Sequence, residues 1–161
     1  MFKRGISALV VPALLLLAAP ALATASAAKG HKVNLSGLID TLSSTGTTGV
    51  PGSTETDAGM LIGTISGKPT RGAFYQSVTW GSGLTLTGKG VAFDPNGSLR
   101  VKLSAKFVPA SGGVFSYTGK ATATGGTGVF KDAHGTLTIS GTSLTSDLDA
   151  ATVNMTGTLK Y

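Results

Sequence analysis

Apolar and polar positions alternate along most of this chain with a period of two. A five-residue unit, apolar-x-apolar-(Ser/Thr)-Gly, recurs. It reads Val33-Asn34-Leu35-Ser36-Gly37, Leu84-Thr85-Leu86-Thr87-Gly88 and Phe115-Ser116-Tyr117-Thr118-Gly119. It returns as Leu137-Thr138-Ile139-Ser140-Gly141 and Val153-Asn154-Met155-Thr156-Gly157, with a partial copy ending at Ile65-Ser66-Gly67. In a strand, positions one, three and five face one side and two and four the other. Each unit thus has an apolar-apolar-Gly face and a Thr/Ser/Asn face that suits water. The irregular spacing between copies excludes a solenoid.

The alternation predicts strands near 32–39, 59–66, 73–80, 84–93, 98–108, 113–124, 135–142 and 152–160. It is cleanest where Leu99, Val101, Leu103, Ala105 and Phe107 turn inward and Arg100, Lys102, Ser104 and Lys106 outward. Asp94-Pro95-Asn96-Gly97 predicts a tight hairpin. Thr41 to Asp57, rich in Ser, Thr and Gly, reads as a long polar loop, a rim or lid. Inward Gly lets strands bend or approach where a barrel narrows. The expected fold is all-β, an eight-stranded antiparallel β-barrel, with a β-sandwich as the alternative.

Met1 to about Ala28 has the order of a secretory signal peptide. Lys3 and Arg4 come first, then the apolar run Ile6–Leu17, then small-x-small sites between Ala21 and Ala27. The expectation is cleavage near 23–28, a secreted or periplasmic protein, and a single domain over 29–161. Those 133 residues hold 23 Gly, 22 Thr and 14 Ser, but only 30 Leu, Ile, Val and Phe. Such a composition borders on disorder unless the strand pattern organises it. Cysteine is absent, so no disulfide or thiolate metal site exists. With 11 basic and 7 acidic residues the domain carries +4. The one basic cluster, Arg100, Lys102 and Lys106, is sparse for a nucleic-acid reader and fits a solvated strand face.

Gly125-Gly126-Thr127-Gly128-Val129-Phe130-Lys131-Asp132-Ala133-His134-Gly135 stands apart from the strand pattern. Its glycines permit a tight reversal. Phe130 would fold back as a plug on the barrel end, Ala133 leaves room, and Gly135 opens the next strand. The segment resembles the Gly-Gly-Thr-Gly-x-Phe-x-x-Ala-x-Gly stretch of the allene oxide cyclase and dirigent superfamily of eight-stranded barrels. The resemblance is close over 113–142 and loose over about 84–108. It implies a barrel with an internal apolar cavity and a role in steering a reactive small molecule. The motif residues Gly125, Gly126, Thr127, Gly128, Phe130, Ala133 and Gly135 are structural in that family, and no catalytic residue carries over.

The seven acids, Asp40, Glu55, Asp57, Asp94, Asp132, Asp147 and Asp149, read as solvated groups in loops or at strand ends. His31 lies in a ragged start and His134 in a turn. No Gly-x-Ser-x-Gly elbow is present, and two histidines without cysteine fall short of a zinc ligand set. Gly83 to Gly90 nearly spells a phosphate loop, but Gly90 stands where Ser or Thr is needed and no helix follows. Neither metal nor cofactor is expected. If a ligand pocket exists, Tyr117, Trp80 and Phe115 are the candidate lining. Two functions follow. One is a soluble exported barrel binding an apolar small molecule and guiding its cyclisation or isomerisation. The other is a non-enzymatic cell-surface or outer-membrane barrel, suggested by the alternation that ends at Tyr161. Few aromatics and no tall apolar band count against stable membrane insertion.

Overall fold

A computed structural model describes residues 29–161; the signal-peptide expectation lies outside them. Eight strands run in chain order: β1 (Gly30–Thr45), β2 (Thr54–Ile65), β3 (Lys68–Gly81), β4 (Thr85–Asp94), β5 (Gly97–Ala110), β6 (Val114–Gly126), β7 (His134–Leu144) and β8 (Asp147–Lys160). Each pairs antiparallel with its sequence neighbour, and β8 returns to β1 to close the barrel. Closure removes every free sheet edge. No sandwich forms.

The strand pattern holds, and every element except β4 is longer than the alternation predicts. The largest correction concerns Thr41–Asp57. Most of it is strand: β1 runs on to Thr45, β2 begins at Thr54, and only residues 46–53 connect them. The register shifts between Thr41 and Ser43, so a bulge lets β1 continue through polar sequence. β-branched Thr41, Thr45, Thr54 and Thr56 suit the pleat, and cross-strand pairing outweighs the loop-like composition.

The inner faces form one core. Val33, Leu35, Leu61, Phe74, Val78, Leu103, Leu137, Val153 and Leu159 are all buried. Each large apolar side chain so buried contributes about 1.5–3 kcal/mol before entropy is charged against it. The recurrent fifth-place glycines face the same interior. A Cβ at Gly37 would collide with the Met60 carbonyl, and one at Gly119 with the Ser104 carbonyl. Glycine there lets neighbouring backbones close in, as a narrow barrel requires.

The Gly-rich motif closes one end. Gly128–Phe130 is a single 3-10 turn, and Gly128 has φ +57°, where a side chain is strained. Thr127 N–H donates to the Ser98 carbonyl at 2.8 Å, and Val129 N–H to the Asn96 carbonyl at 3.1 Å. These bonds pin the turn to the β4–β5 hairpin. Phe130 is buried and meets Tyr161 edge-on at 5.0 Å. His31 is no ragged terminus: it lies in β1 and stacks on Tyr161 at 4.1 Å.

Candidate functional site

The end of the barrel opposite Phe130 holds two buried acids, Glu55 and Asp57. β2 carries Glu55, Asp57, Gly59 and Leu61 at period two, so both acids point the same way as the core residue Leu61. Glu55 and Asp57 are each only 4% exposed. The expectation of solvated loop acids fails for this pair, because they belong to an inward strand face. The signal was present in the spacing: Glu-x-Asp-x-Gly-x-Leu extends the inward register upstream. Asp40 remains exposed on β1, as expected of a solvated acid.

Each buried acid has neutral donors. Trp80 Nε1 donates to Glu55 Oε1 at 2.6 Å. Gln76 Nε2 donates to Asp57 Oδ2 at 2.6 Å, and Thr41 Oγ1 to Asp57 Oδ1 at 2.9 Å. Burial nonetheless dominates and pushes both carboxyls above their ordinary values. The negative charge of Asp149 adds to the rise at both, and that of Asp57 adds to it at Glu55.

These groups line an interior cavity of about 50 Å³. Its apolar wall includes Leu86, Leu103, Phe107, Tyr117, Val153 and Met155. Trp80, Phe107 and Tyr117 form a continuous aromatic run, with centroids 5.0 and 4.7 Å apart. Tyr117 points inward, as expected, and its hydroxyl donates to the Thr152 carbonyl at 2.6 Å. Burial raises the Tyr117 phenol well above its ordinary pKa, so it stays a neutral donor. Trp80 lies inside the wall, 2% exposed. Phe115, the third candidate, packs half-buried on the core and lies outside the cavity wall. It sits beside Ser143, whose buried hydroxyl has no partner among the described residues.

The 46–53 connection lies over this end. Thr48 Oγ1 donates to Asp149 Oδ1 at 2.7 Å, tying the connection to the start of β8. Gly52 N–H donates to the Trp80 carbonyl at 2.8 Å, and Trp80 N–H to the Ser53 carbonyl at 2.9 Å. A rim or lid remains an apt description of these eight residues, though not of the seventeen predicted.

A second cavity of about 50 Å³ lies toward the other end, under Phe130, with almost wholly apolar walls including Leu61, Phe74, Leu99 and Leu159. Met155 lines both cavities. Among the described residues, no group of three or more His, Cys, Asp or Glu is placed to hold a metal ion.

No family model, no curated protein and no solved structure matches the chain.

Proposed function

We propose that this protein is an exported barrel that binds a small, mainly apolar molecule at the Glu55–Asp57 end. Glu55 and Asp57 would guide cyclisation or isomerisation there by giving or taking a proton. The observation that carries the reading is a pair of carboxyls, each 4% exposed, facing a cavity whose other walls are mainly aromatic and aliphatic, with Thr41, Gln76 and Asp149 beside the acids. Carboxyls with raised pKa can hold a proton nearer neutral pH, as general acid–base chemistry requires. Packing alone gives no reason to bury two acids, since each costs desolvation free energy that an apolar side chain would not.

The cavity sets the scale of the bound group. At about 50 Å³ it admits roughly three to five heavy atoms, counting about one for each water-sized volume. A larger ligand would place its reacting end there and leave past Leu148 and Asp149 beneath the 46–53 connection. The resemblance of Gly125–Gly135 to allene oxide cyclase and dirigent barrels supports the same reading, since that family steers reactive molecules inside a barrel.

The outer-membrane reading fares worse on the outward faces. On β5 these carry Arg100, Lys102, Ser104 and Lys106, and on β8 Thr152, Asn154, Thr156 and Thr158, all exposed. Leu38, Met60, Ile62, Tyr75 and Phe93 stand exposed on the outer faces of β1 to β4, but the charged and polar faces of β5 and β8 interrupt the continuous apolar band that a lipid-facing barrel needs.

The test is mass spectrometry of small molecules extracted from the purified protein, alongside Ala151→Leu, which fills the cavity. A compound retained by the wild type and lost from the folded variant is the expected result. A wild type that yields no compound and takes up none from a library of small apolar molecules would refute the proposal.

A further inference from the structure

We propose that the ligand is a small organic cation, its ammonium held between Glu55 and Asp57 and its carbon body laid on Trp80, Phe107 and Tyr117. The inference rests on the binding role proposed above and adds the sign of the ligand's charge.

The charge balance of the cavity is one-sided. Glu55, Asp57 and Asp149 line it, and among the described residues no lysine, arginine or histidine does. Among the described residues the donors to the acids are neutral: the Trp80 indole, the Gln76 amide and the Thr41 and Thr48 hydroxyls. Buried carboxylates ordinarily have a counter-charge, since neutral donors offset only part of their lost hydration. An incoming ammonium would supply it. Glu55 and Asp57 stand two residues apart on one strand face, about 7 Å along the chain, so one cation can lie between them.

The aromatic run is an independent feature that favours the same class. Three rings in contact, 5.0 and 4.7 Å apart by centroid, wall the cavity the acids face. Ring faces attract cations, most strongly where water is excluded, and tryptophan is the best of them. A neutral ligand would gain only apolar burial. An anion would meet three carboxylates and no cation. The cavity volume of about 50 Å³ suits a compact amine of about five heavy atoms.

Binding also has a defined pH dependence. The cation needs the carboxylates ionised, and their protonation opposes it. Affinity should fall as pH drops through the raised range of Glu55 and Asp57.

The experiment is titration calorimetry of the purified protein with three near-isosteric probes: isobutylamine, isobutanol and isobutyrate. At pH 7.5 the amine should bind at least about ten-fold tighter than the alcohol, the scale of one charge-assisted contact, with no heat from isobutyrate. Asp57→Asn and Glu55→Gln should each erase most of that preference, whereas Asp40→Asn, on the outer face, should leave it intact. If either inner variant fails to fold, the single tryptophan reports in the wild type. Its fluorescence should then respond to the amine, and less so as pH is lowered. Alcohol binding as tightly as amine, or isobutyrate binding best, would overturn the cationic ligand and leave the binding role standing. No probe binding, with no compound extracted from the protein, would remove both.

Discussion

Trp80 and Glu55 stand on adjacent strands and meet inside the barrel, the indole N–H donating to the carboxylate at 2.6 Å. Glu55 pairs across the ladder with Val78, so the contact is a diagonal one between inward positions. It fixes a carboxylate and the cavity's largest ring in one geometry.

Removing the acceptor should expose the cost of that arrangement. Glu55→Ala leaves a buried indole N–H unpaired, which costs about 1–3 kcal/mol. Glu55→Gln keeps an acceptor oxygen and removes the desolvated charge, so its loss should be smaller, within about 1 kcal/mol. Urea unfolding of the two variants gives the comparison.

Acid should stabilise this protein over part of the range where acid weakens many others. Both inner carboxyls have folded pKa values raised above their unfolded ones. Between those values the native state holds more protons than the unfolded chain, so stability falls as pH rises through the window. Below the unfolded values this penalty vanishes; above the folded values it is fully expressed. Melting temperature measured from the ordinary carboxyl range upward should decline, and the double variant Glu55→Gln/Asp57→Asn should flatten the curve.

Tyr117→Phe should separate packing from polarity. The ring keeps its place on Phe107, but the bond from its hydroxyl to the Thr152 carbonyl is lost. A cost of about 0.5–1.5 kcal/mol is expected, with the near-ultraviolet aromatic signal retained. Denaturant unfolding and circular dichroism test both statements.

Phe130→Ala should be the most damaging of these changes. Phe130 is 4% exposed, lines the second cavity and supports Tyr161. Truncating a buried phenylalanine costs about 3–5 kcal/mol. The loss should appear in thermal stability, while the distant Trp80 environment, read by fluorescence, should change little in the folded protein.

The barrel was legible because period two needs only local sequence. Leu99 to Phe107 and the five apolar-x-apolar units declare their inward faces without reference to any partner. Phe130 as a plug was legible for a similar reason, since a Gly-rich reversal leaves an aromatic ring nowhere else to go. The inner acids were harder. Serine, threonine and glycine between Thr41 and Asp57 have the composition of a loop, and only pairing makes the two ends of that segment strand: 41–45 with 54–57 across the bulge after Thr41, and 54–57 with β3. Even the Glu55-x-Asp57-x-Gly59-x-Leu61 register does not say that two carboxylates will tolerate burial. That depends on Trp80, Gln76 and Thr41, which arrive from other strands. Phe115 shows the converse limit. It shares the alternation of Tyr117, yet lies too near the barrel end to reach the cavity.

The single tryptophan gives the most direct test of whether this cavity is a ligand site. Trp80 contributes the only indole N–H cross-peak in a ¹H–¹⁵N spectrum, and that proton lies on Glu55 at the cavity wall. This peak should move when bound small molecules are stripped from the protein, and return when the extract is added back. A peak that stays fixed through stripping, add-back and saturation with the amine probe would contradict it.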